Sequence, residues 1–460
     1  MLEALESQMA VVPEQENQQS IRLEYANITN RCAPVSALPN EILASIFEMG
    51  YPYGLHIKAS HVMRHWRDVV INMPILWTSI SLRGIESLDQ AETYLKRSQN
   101  CSLDIQFDFP RLSNKSSAMY TECYMACCTP HVERWRTVVI EAYGVRQIRN
   151  ILHHFTSLSA PRLQSFMLHN TRNRPPWLEV HSSSPVRVFT GGADALKRLD
   201  FSQFSMAWCW PPLTAVTQLD FCWIEPVLLL NHFHDALRAM PCLARLKIQG
   251  QATEFLLDPV PSITIPSLEW LYIDCAGPRK VDYTAALFAT LCTPSITSLT
   301  LESMNKDTSV VFGRHLQIPP HIPRYPMLQF IGFEDASCMA DDLDLFSLLS
   351  TITHLSLQTV GNFVEQLSAK SSLPGGNLVM PYLCTVTIKE PCHDDFASVC
   401  ELISIRKSIN LPITTLRLTA RFSADLHHIN WLRDNVCLDI LNRKATVFIL
   451  MHPADFGIQH

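Results

Sequence analysis

The stretch IPSLEWLYI, residues 265–273, contains a pattern that recurs through the chain. Apolar residues stand at Leu268, Leu271 and Ile273, and Pro266 lies two places before the first of them. Six of eleven copies of this triplet carry the proline, although only 29 of 460 residues are proline, so chance would supply fewer than one such match. The copies are Trp135/Val138/Ile140, Leu163/Phe166/Leu168, Leu196/Leu199/Phe201, Val216/Leu219/Phe221, Leu243/Leu246/Ile248, Leu268/Leu271/Ile273, Ile296/Leu299/Leu301, Leu328/Ile331/Phe333, Ile352/Leu355/Leu357, Leu383/Val386/Ile388 and Ile413/Leu416/Leu418.

The spacing of the copies predicts a repeat architecture. Successive copies begin 20 to 33 residues apart, and L-x-x-L-x-L is the strand segment of a leucine-rich repeat. Between triplets the apolar spacing becomes helical, as in residues 146–155 and 394–403. We expect an α/β fold in which residues 81–460 form an irregular leucine-rich-repeat-like solenoid with parallel strands. The repeated proline is expected to end each helix before its strand, and no asparagine ladder is predicted.

Composition excludes several classes of function. Only 14 of 460 residues are glycine, and no glycine-rich phosphate loop is found. The net charge of −6 argues against a nucleic-acid partner, and no run of 18 apolar residues predicts a membrane span. Fifteen dispersed cysteines without an export signal indicate reduced thiols in a cytoplasmic and/or nuclear protein. We expect residues 1–33, which are polar, to be partly disordered.

Residues 34–80 differ from the repeats and predict a small helical head. SALPNEILASIFE (36–48) has a helical apolar stripe, and ASHVMRHWRDVVINMPILW (59–77) predicts a second helix that ends at Pro74. Four pieces occur in order: Leu38-Pro39-Asn40-Glu41-Ile42-Leu43, Ile46-Phe47, Val62-Met63-Arg64-His65-Trp66-Arg67 and Pro74-Ile75-Leu76-Trp77.

These four pieces resemble an F-box, and they closely resemble the F-boxes of the large families found in mushroom-forming fungi. Met63 departs from the pattern, since cysteine is common at that place. The resemblance implies a non-catalytic substrate receptor of a cullin–RING ubiquitin ligase, whose F-box binds a Skp-type adaptor and whose repeats bind an unknown protein substrate. The residues that it assigns to the adaptor contact are Leu38, Pro39, Glu41, Ile42, Leu43, Ile46, Phe47, Trp66, Leu76 and Trp77.

Other interpretations stay open beside this one. The head residues can simply cap the solenoid, and the chain can be a repeat scaffold that recruits no ligase. An enzyme is disfavoured by the absent motifs, and we assign no catalytic residue, cofactor or metal. The cysteine-rich segment 123–131 lacks the second ligand pair typical of zinc sites.

Three segments of the repeat region are candidates for substrate binding. Trp208 and Trp210 lie in a short connection, where aromatic anchors favour recognition, although gap filling between uneven repeats is an equal alternative. The long connections 169–191 and 302–325 are the other candidates, because long loops are often functional.

Overall fold

The structure is a computed structural model that divides the chain into two compact units. Unit 1 comprises residues 1–141 and 159–163, and unit 2 comprises residues 142–158 and 164–460. The predicted segment 1–33 lies almost entirely outside the described residues. The residues that the structure describes are 21–22, 24–25, 28–29, 34–109, 114–171, 185–224, 227–254, 261–276, 280–316, 324–335, 348–358, 360, 364, 367–368, 379–392, 395–419 and 426–441.

Unit 1 begins with a helical head, which we define as residues 34–77. Its helices are α1 Asn40–Met49, α2 Leu55–Ser60 and α3 Arg64–Ile71, and a short 3-10 turn, Pro74–Trp77, leads out of it. The repeats of unit 1 then follow as β1 Ser79–Leu82, α4 Leu88–Arg97, β2 Leu103–Phe109, α5 Asn114–Cys128 and β3 Trp135–Ala142. Strand β1 runs parallel to β2, with Ile80 opposite Ile105, and β3 follows β2 in the sheet.

Unit 2 is built on parallel strands that follow one another in chain order. In its described part, eleven strands form the main sheet in the order β4-β6-β8-β10-β13-β15-β16-β17-β18-β19-β20. They are β4 Ser165–Asn170, β6 Arg198–Ser202, β8 Gln218–Cys222, β10 Arg245–Gln249, β13 Trp270–Asp274, β15 Ser298–Glu302, β16 Phe330–Glu334, β17 His354–Leu357, β18 Thr385–Ile388, β19 Thr415–Thr419 and β20 Cys437–Leu441.

Helices and short strands connect these main strands. The described helices of unit 2 are α6 Val145–His153, α7 Leu230–Arg238, α8 Lys280–Thr290, α9 Lys306–Leu316, α10 Asp395–Ser408 and α11 Leu426–Asn435. In the described part of unit 2, small parallel sheets pair β5 Val186–Arg187 with β7 Cys209–Trp210, β9 Leu228–Leu229 with β11 Thr253–Glu254, and β12 Ile263–Thr264 with β14 Leu291–Cys292. The predicted α/β architecture with stacked parallel strands is confirmed.

The apolar triplets form the interior of the repeats. All thirty-three side chains of the eleven triplets are at most 2% exposed. Neighbouring copies are in register, so that Leu271 lies opposite Leu246 on one side and Leu299 on the other. Because side chains alternate across a strand, the second and third triplet positions face the same way. Each such burial contributes roughly 1.5–3 kcal/mol.

The repeated proline belongs to a turn, which corrects the expectation that it ends a helix. Helix α7 already ends at Arg238, and the N–H of Leu243 donates to the carbonyl of Met240 at 3.2 Å. Pro241 is therefore the second residue of a four-residue turn, a position that favours proline because its φ is already near −65°. The turn fixes the residue at which each strand starts.

A left-handed residue follows several strands and takes the place of the asparagine ladder. Gln203, Trp223, Ser303 and Asp335 all have φ between 48° and 56° directly after their strands, and the N–H of Gln203 donates to the carbonyl of Cys222 at 2.8 Å. This bond joins one repeat to the next beyond the end of the strand, so the ladder continues without asparagine.

One asparagine nevertheless links three repeats. The Oδ1 of Asn170 accepts from the N–H of Gly144 at 2.9 Å, and its Nδ2 donates to the carbonyl of Gln203 at 3.1 Å. Asn170 is 5% exposed, so its amide satisfies buried backbone groups that would otherwise be unpaired.

The loop assignment at 302–325 is wrong in part, because α9 occupies Lys306–Leu316. Residues 317–323 lie outside the described residues. Asn305 explains the start of the helix, since its Oδ1 accepts from the N–H of Thr308 at 3.0 Å in the manner of a helix N-cap. The connection 169–191 contains β5 at its end, and residues 172–184 lie outside the described residues.

A buried arginine secures the last repeats. Arg406 of α10 is fully buried, and its guanidinium donates to the carbonyls of Val379 at 3.2 Å, Met380 at 2.9 Å and Leu383 at 3.5 Å, while its Nε donates to Leu411 at 3.2 Å. Buried carbonyls need donors, and the planar guanidinium supplies several from one side chain.

We predict that Thr214→Pro stabilises the protein. The N–H of Val216 donates to the carbonyl of Leu213 at 3.1 Å, so exposed Thr214 is the second residue of a turn that lacks the proline. Proline there restricts the unfolded chain, and the free energy of unfolding should rise by about 0.4–1 kcal/mol. Calorimetry would show a higher thermal midpoint for Thr214→Pro than for the control Thr214→Ala, and a lower midpoint would refute this role of the turn.

We predict that Arg406→Met destabilises unit 2. Methionine fills similar space but leaves buried carbonyls without donors, so the free energy of unfolding should fall by at least about 3 kcal/mol. Urea unfolding followed by circular dichroism measures this change. Arg433→Met on the exposed side of α11 is the matched control and should change the free energy by less than about 0.5 kcal/mol. Equal effects of the two substitutions would contradict the prediction.

Candidate functional site

Helix α1 carries two neighbouring apolar stripes, of which one is covered. Leu43 is fully buried and Phe47 is 2% exposed, whereas Ile42 is 48% exposed, Met49 is 72% exposed and Ile46 is half-buried. Residues 42, 46 and 49 follow the i, i+4, i+7 spacing of a single helix face. The head therefore presents an apolar stripe of Ile42, Ile46 and Met49, which we call the α1 stripe.

The start of α1 leaves polar and apolar groups on the surface. Pro39 is exposed and immediately precedes the helix, and its carbonyl accepts from the N–H groups of Ile42 and Leu43 at 3.1 Å. Glu41 is exposed in the first turn, where a carboxylate interacts favourably with the positive end of the helix dipole. Leu38 is half-buried.

Four of the ten predicted adaptor contacts lie inside the head. Leu43 and Phe47 are buried, and so are Leu76 and Trp77, which are 1% and 3% exposed. These four side chains pack in the interior of the protein, as in the alternative interpretation that the head residues cap the solenoid. The predicted residues that keep accessible surface are Leu38, Pro39, Glu41, Ile42, Ile46 and Trp66.

Aromatic contacts hold the head together. Trp66 is half-buried and lies edge-on to Phe47, with ring centroids 5.7 Å apart. The indole Nε1 of Trp77 donates to the carbonyl of Val70 at 3.0 Å, which ties the 3-10 turn to the end of α3. The Nε of Arg67 donates to the carbonyl of Ser60 at 2.7 Å and links α3 to α2.

An aromatic cluster within unit 1 joins the head to the first repeat. Trp77 lies 4.9 Å from Tyr94 of α4 and 5.4 Å from His56 of α2, measured between ring centroids. The guanidinium of Arg97 lies 4.4 Å from the centre of the Trp77 ring, a cation–π contact. His56 is 5% exposed, and burial lowers the pKa of its imidazole below the ordinary 6.5.

Exposed apolar side chains are concentrated on the head. Among the described residues, fourteen large hydrophobic side chains are exposed by more than a third, and seven of them belong to residues 35–75. Scattered exposed apolar residues are ordinary, whereas a concentration of them is typical of a binding surface. These seven are Val35, Ile42, Met49, Tyr53, Ile57, Val62 and Ile75.

The two tryptophans predicted for substrate binding differ in exposure. Trp208 is 3% exposed and lies 5.4 Å from the ring of Phe204, so its side chain fills space between repeats. Trp210 is half-buried in β7 and keeps part of its ring at the surface. Of the two tryptophans, Trp210 is the one whose ring is accessible to a partner.

The polar face of the unit 2 sheet contains a hydrogen-bonded network that sequence reasoning missed. The hydroxyl of Tyr272 donates to Glu302 at 2.5 Å, Gln249 donates to the same carboxylate at 3.1 Å, and Lys389 pairs with Glu334. Burial and the neighbouring carboxylates raise the pKa of the Tyr272 phenol. The available signal was the positions directly after the second and third apolar residues of each triplet, which must face away from the core.

The cysteine and histidine candidates do not come together as a metal site. In the part of the chain that the structure describes, no group of three histidine, cysteine, aspartate or glutamate side chains is placed to hold a metal ion. Cys128 is buried, and its hydrogen bond with Cys127 together with burial raises the pKa of its thiol. Asp395, the first residue of α10, accepts from the N–H of Cys392 at 2.7 Å, and its own N–H donates to the carbonyl of Cys392 at 3.3 Å, so the pair fixes the turn that leads into the helix.

Comparison with known proteins adds little to this geometry. No protein-family model matches the chain, and no curated protein matches it. One solved structure that it resembles is the crystal structure of a Bacteroides fragilis protein from the Northeast Structural Genomics Consortium, with 10% identity, coverage of 75% of this chain and 76% of that chain, and a TM-score of 0.32. A TM-score this low does not establish a common fold. None of the described helices is long and apolar enough to span a membrane.

We predict that acidification loosens the head through His56. Because the pKa of His56 is lowered in the folded protein, its stabilising contribution is present above pH 6.5 and declines as the pH falls below that value. Hydrogen exchange of α2, corrected for intrinsic rates, should show a smaller opening free energy at pH 5 than at pH 7.5. His56→Phe should flatten this dependence and the exposed control His61→Phe should not; an unchanged slope in His56→Phe would contradict the prediction.

Proposed function

We propose that the protein is a substrate receptor of a Skp–cullin–F-box type ubiquitin ligase, with no catalytic residue of its own. The head would bind a Skp-type adaptor and the repeats would bind a protein substrate. The observation that carries the proposal is the α1 stripe, which is apolar and accessible directly beside the buried stripe of Leu43 and Phe47. The motif order across residues 38–77 supports the same reading of the head.

The α1 stripe is suited to a helical protein partner. Ile42, Ile46 and Met49 span two turns of one helix face, which is the spacing at which helices pack into apolar grooves. Met49 is unbranched and adapts to irregular surfaces. Leu38 and Pro39, just ahead of the helix, would extend the contact beyond its first turn.

The receptor would act by proximity alone. Binding the adaptor and the substrate on one chain raises the effective concentration of the substrate at the transfer centre of the ligase. Trp210 and the polar face of the unit 2 sheet are the candidate substrate contacts. This division of roles needs neither a cofactor nor a metal.

The second candidate is a repeat scaffold that recruits no ligase. The network of Tyr272, Glu302, Glu334 and Lys389 favours this reading as much as the first, because outward polar rows suit protein recognition of any purpose. The two functions differ in whether the head binds the adaptor, so one binding experiment separates them.

We predict that Ile42→Asp abolishes co-purification with a Skp-type adaptor. Ile42 is largely exposed, so the change should leave the fold intact while it places a charge in the apolar contact, and the affinity should fall at least about thirtyfold. Isothermal titration of the purified full chain with the adaptor measures this loss.

Ile85→Asp is the matched control for this experiment. Ile85 lies outside the head in unit 1 and is 40% exposed, close to the 48% of Ile42. Adaptor binding by the native chain and by Ile85→Asp, but not by Ile42→Asp, would support the receptor. A folded native chain that does not bind the adaptor would leave the scaffold as the better interpretation.

A further inference from the structure

Strand β1 is the first strand of its sheet and has a free edge. Among the described residues it pairs with β2 on one side and with no strand on the other. The carbonyl of Thr78 accepts from the N–H of Asp104 at 3.0 Å, so the backbone groups of even-numbered residues face β2. Because these directions alternate along a strand, the N–H groups of Ser79, Ser81 and Arg83 point away from β2.

Side chains already satisfy two of the three outward N–H groups. The N–H of Ser79 donates to the hydroxyl of Tyr51 at 3.0 Å, and the N–H of Arg83 donates to the Oγ of Ser87 at 3.1 Å. Between them, the N–H of Ser81 has no partner within the described chain, and neither do the carbonyls of Ser79 and Ser81. The free edge is therefore reduced to one donor flanked by two acceptors.

A cleft of about 540 Å³ opens along this edge, within unit 1. Its volume is in the range of ligand sites, roughly 300–1,000 Å³. The described lining combines hydroxyl, amide and aromatic groups, and its charged members are Arg83 and Glu86, whose charges cancel. The walls are formed by Tyr51, His56, Gln90, Tyr94 and Gln106.

We propose that this cleft binds an extended peptide segment of a protein partner, which pairs with β1 as an added strand. An extended backbone offers donors and acceptors in alternation, and this matches the free N–H of Ser81 and the carbonyls of Ser79 and Ser81. An anion would face two carbonyl oxygens, and a cation would find only one carboxylate. The neutral lining thus selects an uncharged occupant with both donors and acceptors.

The geometry limits the occupant to a short segment. One peptide residue opposite Ser81 would exchange two hydrogen bonds with it if the segment runs antiparallel to β1, and the N–H two residues away would reach the carbonyl of Ser79. Tyr51 and Ser87 cap the edge on either side, so pairing ends there. This site is separate from the α1 stripe and does not depend on the proposed function.

The test removes one backbone donor. Ser81→Pro deletes the outward N–H while the ladder with β2 stays intact, since proline is tolerated on the free side of an edge strand. Ser81→Ala keeps the N–H and loses only the hydroxyl. A phage-displayed library of random heptapeptides is selected against the full native chain, and enriched sequences are synthesised with blocked ends and titrated by fluorescence polarisation.

We expect the selected peptides to bind the native chain and Ser81→Ala with similar affinity, and Ser81→Pro at least about tenfold more weakly. A second test methylates every other backbone nitrogen of the peptide, so the native chain is used and no variant has to fold. Alternate N–H groups of an extended peptide point in opposite directions, so of the two possible sets of methylated amides, the set that faces β1 should weaken binding about tenfold. The proposal is overturned if no peptide is enriched, or if folded Ser81→Pro binds the peptides as well as the native chain does. It is also overturned if neither set of methylated amides lowers the affinity of the peptide.

Discussion

The turn that precedes each strand is the constraint on which the repeats depend. Its closing bond, such as the one from Leu243 to Met240, sets where the strand begins. Side chains alternate with a period of two, so a start displaced by one residue would turn the second and third apolar positions outward. One repeat alone cannot bury those side chains, and stacking of neighbouring repeats in a common register does. Because the repeats share this register, every triplet side chain is at most 2% exposed.

The sequence predicts the repeats well because one short pattern contains both the turn and the strand. The proline marks the turn in six of the eleven copies, and the triplet at its regular spacing marks the inward face in all of them. Strand β1 follows the same spacing with Trp77, Ile80 and Leu82, all buried, so the repeat pattern begins at the end of the head. The triplet pattern does not predict strand β2, because Ser102 stands where the first apolar residue would be, although Ile105 and Phe107 keep the register.

Connections between repeats resist prediction for a different reason. Their lengths vary, so the same residue types serve as loop, helix or filler according to the space that neighbouring repeats leave. Trp208 looks like a surface anchor in SMAWCWPPL, yet it packs on Phe204 because the interval between β6 and β8 lacks a helix in the described structure. Helix α7 starts at Leu230 after Leu229, and no side chain caps it.

In the head, the sequence pattern predicts the helix but not which of its apolar side chains are accessible to a partner. Ile42 and Leu43 are adjacent and equally apolar, and about 100° of rotation around the helix separates them. Which of the two stripes is covered depends on the position of Trp66 against Phe47, a contact made by a different helix. The motif could therefore identify the segment that carries the surface, whereas only the packed structure separates the accessible residues from those that support them.

The polar face of unit 2 places a further demand on any partner that binds there. Glu302 already accepts from Tyr272 and Gln249, and Glu334 is paired with Lys389 at 15% and 13% exposure of their side chains. A partner that displaces these bonds must replace them, because a half-buried charge left unpaired costs more than the new contact gains. Affinity on this face would therefore come from new aromatic and apolar contacts, and the charge network would decide which partners are rejected.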